Sequence, residues 1–138
     1  MLAPKKEKHR KWQRSDKIRG KATRMTRISF GDYGLKSLEA GWVTARQIEA
    51  ARRAIVGHIE RTGEIYIRIF PDMPITMKGS EMPMGKGKGA VDHYVAVVKP
   101  GTVMFEMRGT DKASCKRALE LAAYKLPVKS KFITKELI

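Results

Sequence analysis

Apolar residues recur along this chain with two different periods. Ile48, Ala51, Ile55 and Ile59 fall three or four apart, and Cys115, Ala118, Leu119, Ala122 and Leu126 repeat that spacing. Each set makes one apolar stripe on an α-helix. The first helix has a start signal, because Thr44 with Gln47 three residues later forms a capping box, and Gly63 supplies its stop. Its opposite face carries Arg46, Glu49, Arg53 and Glu60, with Arg52 at the flank. Glu49 and Arg53 stand four apart and pair on the surface, which leaves Arg46 and Arg52 available for phosphates. The second helix is capped by Asp111 or Thr110 and stopped by Pro127.

Elsewhere the period is two. Met25 to Phe30 alternates, meets Gly31-Asp32-Tyr33-Gly34 and continues as Leu35 to Leu38, which predicts strand, turn and strand. Ile65 to Phe70 alternates too, with three isoleucines toward the core, Tyr66, Arg68 and Phe70 on the other face, and Pro71 and Pro74 ending it. Tyr94 to Val98 and Val103 to Met107 flank Lys99-Pro100-Gly101, whose Pro-Gly suits a type II turn and predicts a hairpin. Lys131 to Thr134 suits a last short strand. The sum is an α+β fold, a mainly antiparallel sheet with two helices packed on it. It occupies residues 24–138 as a single globular domain, with a protruding Gly, Lys and Met loop at about 76–91.

A chain of 138 residues fits one such domain. Its charge narrows the function. Lys and Arg number 29 against 14 Asp and Glu, a formal charge of +15, and self-repulsion at that charge implies a polyanionic partner. With no run of about 18 apolar residues, a spanning helix is not expected, and the first residues lack the apolar stretch of a secretory signal. The expectation is a cytoplasmic protein without a membrane partner. Cys115 is the sole cysteine, so no internal disulfide forms, and its place in the helix stripe makes it a small core residue. His9, His58 and His93 lack metal-ligand spacing, and neither metal nor cofactor is expected.

The charge is concentrated. Residues 1–27 hold 11 basic side chains against Glu7 and Asp16, a net +9, and the rest of the chain holds +6. Between Lys5 and Lys21 the only large apolar residues are Trp12 and Ile18, too little to offset ordering entropy. Residues 1–23 are therefore expected to be a basic extension, ordered by a polyanion; the plainer alternative is a solubilising tail. Trp12 either stacks on an exposed base or packs on the protein itself.

Gly79 to Gly89 superficially resembles a phosphate loop. A Walker A loop needs four residues between its glycines and Ser or Thr after the Lys; here five intervene and Gly87 follows Lys86. Gly85, Gly87 and Gly89 also lead into a strand, not the helix whose N-terminus would hold a pyrophosphate. What remains is a glycine-softened finger that brings Lys86 and Lys88 to a nucleic-acid backbone, or a plain mobile linker. No nucleophile elbow or carboxylate pair stands out, and no enzyme is expected. Two rivals share these features: a free nucleic-acid chaperone, and a small enzyme using Gly79 to Gly89 to hold a phosphorylated substrate.

Several ordered blocks carry a resemblance. Met1-Leu2-x-Pro4-Lys5, Phe30-Gly31-Asp32-Tyr33-Gly34-Leu35, Thr44 to Arg52, Ile67-Arg68-Ile69-Phe70-Pro71-Asp72, Met84 to Gly89 and Ala122-Ala123-x-Lys125-Leu126-Pro127 are similar to the bacterial large-subunit ribosomal proteins of the L-sixteen family. The resemblance implies an α/β hammerhead on 23S rRNA near the A-site tRNA and the peptidyl-transferase region, with a late role in subunit assembly. It also implies neighbours in the 5S rRNA region and among ribosomal proteins, and no homo-oligomer. By the same resemblance Lys5, Lys6, Lys8, Arg10, Lys11, Trp12, Arg14, Lys17, Arg19, Lys21 and Arg24 take the rRNA-binding role of the basic segment. Met84, Gly85, Lys86, Gly87, Lys88 and Gly89 take that of the rRNA- and tRNA-proximal loop; Arg46, Arg52 and Arg68 follow. Where many relatives have an arginine that some bacteria hydroxylate, this chain has Pro83, so that modification is not available here.

Overall fold

The computed structural model describes residues 1–12, 18–60, 62–77, 85 and 87–135. Seven strands and two helices follow one another among these residues: β1 (Tyr33–Ser37), β2 (Gly41–Thr44), α1 (Ala45–Ile59), β3 (Glu64–Ile67), β4 (Met73–Met77), β5 (Ala90–Val98), β6 (Val103–Arg108), α2 (Lys112–Ala123) and β7 (Ser130–Thr134). They form two antiparallel sheets, one of order β3-β6-β1-β7 and one of order β2-β5-β4. The α+β class read from the chain is the observed one, with two sheets in place of one. Helix α1 packs on α2, and α2 lies on the four-stranded sheet. The core between them gathers Leu35, Ile48, Ala51, Ile55, Phe105, Met107, Cys115, Leu119 and Ala122.

Both helices start where the local chemistry says. The Thr44 hydroxyl accepts from the Gln47 N–H at 3.1 Å while the Gln47 side chain accepts from the Thr44 N–H at 2.9 Å, and Asp111, not Thr110, caps α2 through the Ser114 N–H at 3.1 Å. The end of α1 differs from expectation. Glu60 takes the left-handed conformation (φ 51°), and Gly63 (φ 81°) instead opens β3, where an added Cβ would lie 2.6 Å from the Arg108 carbonyl oxygen. Cys115 is fully buried, and burial pushes its thiol above the ordinary value.

The strands correct three expectations. Residues 25–30 form no strand, β5 and β6 are not a hairpin, and Pro74 does not end a strand but sits inside β4. The local turn at Pro100 is nevertheless real: the Thr102 N–H reaches the Lys99 carbonyl at 3.2 Å, with Gly101 left-handed (φ 96°). Ser37 captures the chain there, its hydroxyl donating to the Lys99 carbonyl at 2.8 Å and its carbonyl accepting from the Gly101 N–H at 2.9 Å. The turn therefore hands the chain from one sheet to the other. The hairpin belongs to β4 and β5, which pair from Met73↔Val95 to Met77↔Ala90. Proline is tolerated in β4 because β4 is an edge strand.

Residues 29–31 are held by a carboxylate in place of a ladder. Glu106, 0 % exposed in the middle of β6, accepts the N–H groups of Ser29, Phe30 and Gly31 at 3.0, 2.7 and 2.8 Å on one oxygen. Its other oxygen takes the Arg68 guanidinium. Phe30 stacks on Tyr66 at 5.5 Å between centroids, and Arg68 lies 4.9 Å from the centre of the Phe30 ring. Burial pushes the Glu106 carboxyl up, but the Gly31 N–H, Arg68 and the Phe30 N–H together hold it below the ordinary glutamate value. A carboxyl depressed by folding stabilises fully above its unfolded pKa and loses that contribution as the pH falls through the lower, folded one. Acid titration of the free protein should show stability flat at neutral pH and falling below the ordinary carboxylate range of about 4. Glu106→Gln, followed by circular dichroism, should have a shallower acid limb.

Candidate nucleic-acid interface

The hairpin of β4 and β5 projects the glycine-lysine loop, because its two strands converge at Met77↔Ala90. In its described part, Gly85 (φ 96°) and Gly87 (φ 93°) are left-handed and have nothing within 4 Å of an added Cβ. Glycine is needed there for backbone shape, with open space around it. Met84 and Lys86 lie outside the described residues, as do Arg14 and Lys17 of the basic segment.

The structure brings the two sequence-predicted regions together. Residues 1–12 carry no helix or strand and run along β5. Leu2 packs against the core, and the Tyr94 hydroxyl donates to Glu7 at 3.0 Å, a bond that raises the tyrosine's pKa. The Lys11 ammonium donates to the Lys88 carbonyl at 3.1 Å, and the Lys88 ammonium donates to the Trp12 carbonyl. Trp12 is 40 % exposed and its indole N–H returns to the His9 carbonyl at 3.2 Å. Between the segment and the strand opens a cleft of ≈ 710 Å³, lined by Lys5, Lys6, Arg10 and Lys11 from one side and by Ala90, Val91 and Tyr94 from the other. Lys8 is exposed beside it. Glu7 also lines this cleft, so four cations there face one carboxylate.

Arg46 is exposed at the start of α1 and lines a neighbouring cavity with Met1, Leu2 and His93, close to the same segment. Two other predicted arginines are already engaged. Arg52 grips Glu49 through two bonds of 2.5 and 3.0 Å, with Arg53 adding one of 3.1 Å. The Arg52 hydrogen bond, opposed by burial and helped by the charge of Arg52 and by Arg53, holds the Glu49 carboxyl at about 2. The expectation that only Arg53 pairs there, leaving Arg52 to phosphates, is corrected by this geometry. Arg68, 14 % exposed, is paired as well, with Glu106.

Arg19, Lys21 and Arg24 sit elsewhere. The Ala22 N–H bonds the Pro100 carbonyl at 2.9 Å and the Val103 N–H bonds the Met25 carbonyl at 2.7 Å, which docks this stretch at the Pro100 turn. The basic segment thus serves two places on the fold. Glu106 is the residue that sequence reasoning missed. Its signal was a lone carboxylate in the apolar run Val103-Met104-Phe105-Glu106-Met107, which is costly to bury without a partner.

Among the described residues no three His, Cys, Asp or Glu side chains converge as metal ligands, and no helix is long and apolar enough to cross a membrane. The arrangement offers exposed ammonium and guanidinium groups on a rigid α+β mount. Comparison with known proteins says what it is mounted on. The family described as ribosomal protein L16p/L10e matches residues 4–133. The chain belongs to that family. It is similar to the large ribosomal subunit protein uL16c of Trieres chinensis, at 54 % identity over 135 residues, 98 % of either chain. As a member, the chain is a structural constituent of the large ribosomal subunit, in the cytoplasm or an organelle, with rRNA and ribosomal proteins for partners and no enzyme activity.

Proposed function

We propose that the chain, a globular domain over residues 24–138 with a basic extension at 1–23, is held on 23S rRNA beside the A-site tRNA and supports the peptidyl-transferase region. In this reading it joins the subunit late, when RNA helices already crowd one another, and its neighbours include the 5S rRNA region. The observation that carries the reading is the tie between the two cationic regions through Lys11, Trp12 and Lys88. It concentrates ammonium groups along one cleft and at the root of a protruding hairpin, where phosphates of separate RNA strands meet. Lys5, Lys6, Lys8, Arg10, Lys11, Arg46 and Lys88 would neutralise those phosphates, and the exposed face of Trp12 would take an unpaired base. Together with Lys86, the glycines of the loop let its backbone approach the tRNA closely.

The sole cysteine is buried, so a second one can be tethered selectively. Ala90→Cys places a thiol at the root of the hairpin, beside the cleft. An iron chelate attached there, in reconstituted large subunits with A-site tRNA, is expected to cleave both that tRNA and rRNA of the peptidyl-transferase region. Cleavage confined to RNA remote from both would overturn the reading.

A further inference from the structure

We propose that the outer face of β1 and β7 is a second phosphate-binding groove, one that takes an rRNA backbone separate from the strand held by the N-terminal cleft. The proposal rests on the rRNA-binding reading above and adds a site to it. On this face Lys36 of β1 stands directly opposite Lys131 of β7. Cross-strand partners have Cβ atoms about 5 Å apart, and like charges so placed destabilise a sheet. Neither lysine has a carboxylate partner among the described residues, and the same holds for Lys21, Arg27 and Lys135, which line the same groove of ≈ 510 Å³. Five cations and no carboxylate line it.

The floor suits a ribose-phosphate chain. Ile133 lies on the same face, opposite Gly34, whose missing side chain lets Ile28 come within 3.3 Å of the position a Cβ would take. Leu38, 52 % exposed, and Pro100 add to the apolar lining. An apolar floor under a cationic rim accepts sugar faces below and phosphates at the edge. Five arginines elsewhere on the fold, Arg52, Arg53, Arg68, Arg108 and Arg117, each hold a glutamate. The five cations of the groove hold none among the described residues, and an external polyanion supplies the negative charge. A nucleic acid fits better than an acidic protein segment because the cations run along a face more than one strand wide, from Lys21 and Arg27 across Lys36 to Lys131 and Lys135.

The test uses the full chain, large-subunit rRNA and a salt series. The triple variant Lys36→Gln, Lys131→Gln, Lys135→Gln is expected to flatten the slope of log affinity against log salt by about 2 to 3, at about 0.7–0.9 for each phosphate no longer neutralised. One protected RNA segment should vanish from its hydroxyl-radical footprint while the segment protected by Lys5 to Lys11 persists. The arginine triple at the same positions should keep both slope and footprint. Without RNA, the glutamine triple should melt no lower than the parent, because a repulsive pair has been removed. If the parent binds rRNA and the glutamine triple binds with the same slope and footprint, the groove inference falls, whatever acidic peptide the groove then accepts. If the parent does not bind rRNA, the rRNA-binding reading itself fails.

Discussion

Glu106→Gln should cost the free protein about 3 kcal/mol of folding stability, read from urea unfolding, because breaking a buried ion pair leaves an uncompensated charge. The substitution keeps the shape of the side chain and removes its charge. Arg68, 14 % exposed, loses its partner, and an amide replaces the carboxylate that now serves Ser29, Phe30 and Gly31. An amide oxygen accepts these bonds more weakly than a carboxylate does. Since domains of this size are stable by only about 5–15 kcal/mol, a loss of this size is large. Arg68→Gln should cost less, because Glu106 would keep its three backbone donors. The residues 29–31 strap should also open: amide exchange at Ser29 to Gly31 should accelerate in Glu106→Gln well before the rest of β6. A variant that unfolds at the same urea concentration as the parent would show that the pair is ornamental.

The second large effect belongs to the N-terminal cleft. Replacing Lys5, Lys6, Lys8, Arg10 and Lys11 by glutamine should flatten the salt slope of rRNA binding by about 3.5 to 4.5, if each cation answers one phosphate at about 0.7–0.9. The loss should be largest in dilute salt and shrink as the ionic strength rises and counterions compete. Folding should be untouched, since these side chains are exposed and, among the described residues, only Lys11 of the five makes a side-chain hydrogen bond. An unchanged slope with intact binding would assign this cleft to solubility alone.

What the chain disclosed in advance was local. A capping box needs residues three apart, so Thr44 and Gln47 could be read directly. The stripes of α1 and α2 follow from period alone, and each predicted stripe residue within the helices is buried. The turn at Pro100 was legible, but its partner was not: whether β5 and β6 pair depends on Ser37, some 60 residues away, which takes the strand for β1. Strand β2 has four residues, too few for a period, and β4 was hidden by Pro74, which only an edge position permits. Residues 25–30 alternate like a strand, yet Glu106 supplies their backbone with an acceptor from a different part of the chain.

The interface divided along the same line. Charge density at the front of the chain was visible, and the structure ties it to the root of the Gly-Lys hairpin. Single arginines were harder, because availability depends on what stands near in space. Arg52 and Arg68 read as exposed cations until their glutamates are placed. The groove of Lys36, Lys131 and Lys135 left no trace in the sequence, since its members are separated by about a hundred residues. Only the register of β1 on β7 brings them face to face.

The affinity of the unmodified chain for large-subunit rRNA, followed from dilute to concentrated salt, tests the central claim most directly. Neutralisation of RNA phosphates by the N-terminal cleft and the hairpin root predicts a slope of about −3.5 or steeper. A slope near zero, at any affinity, would contradict it.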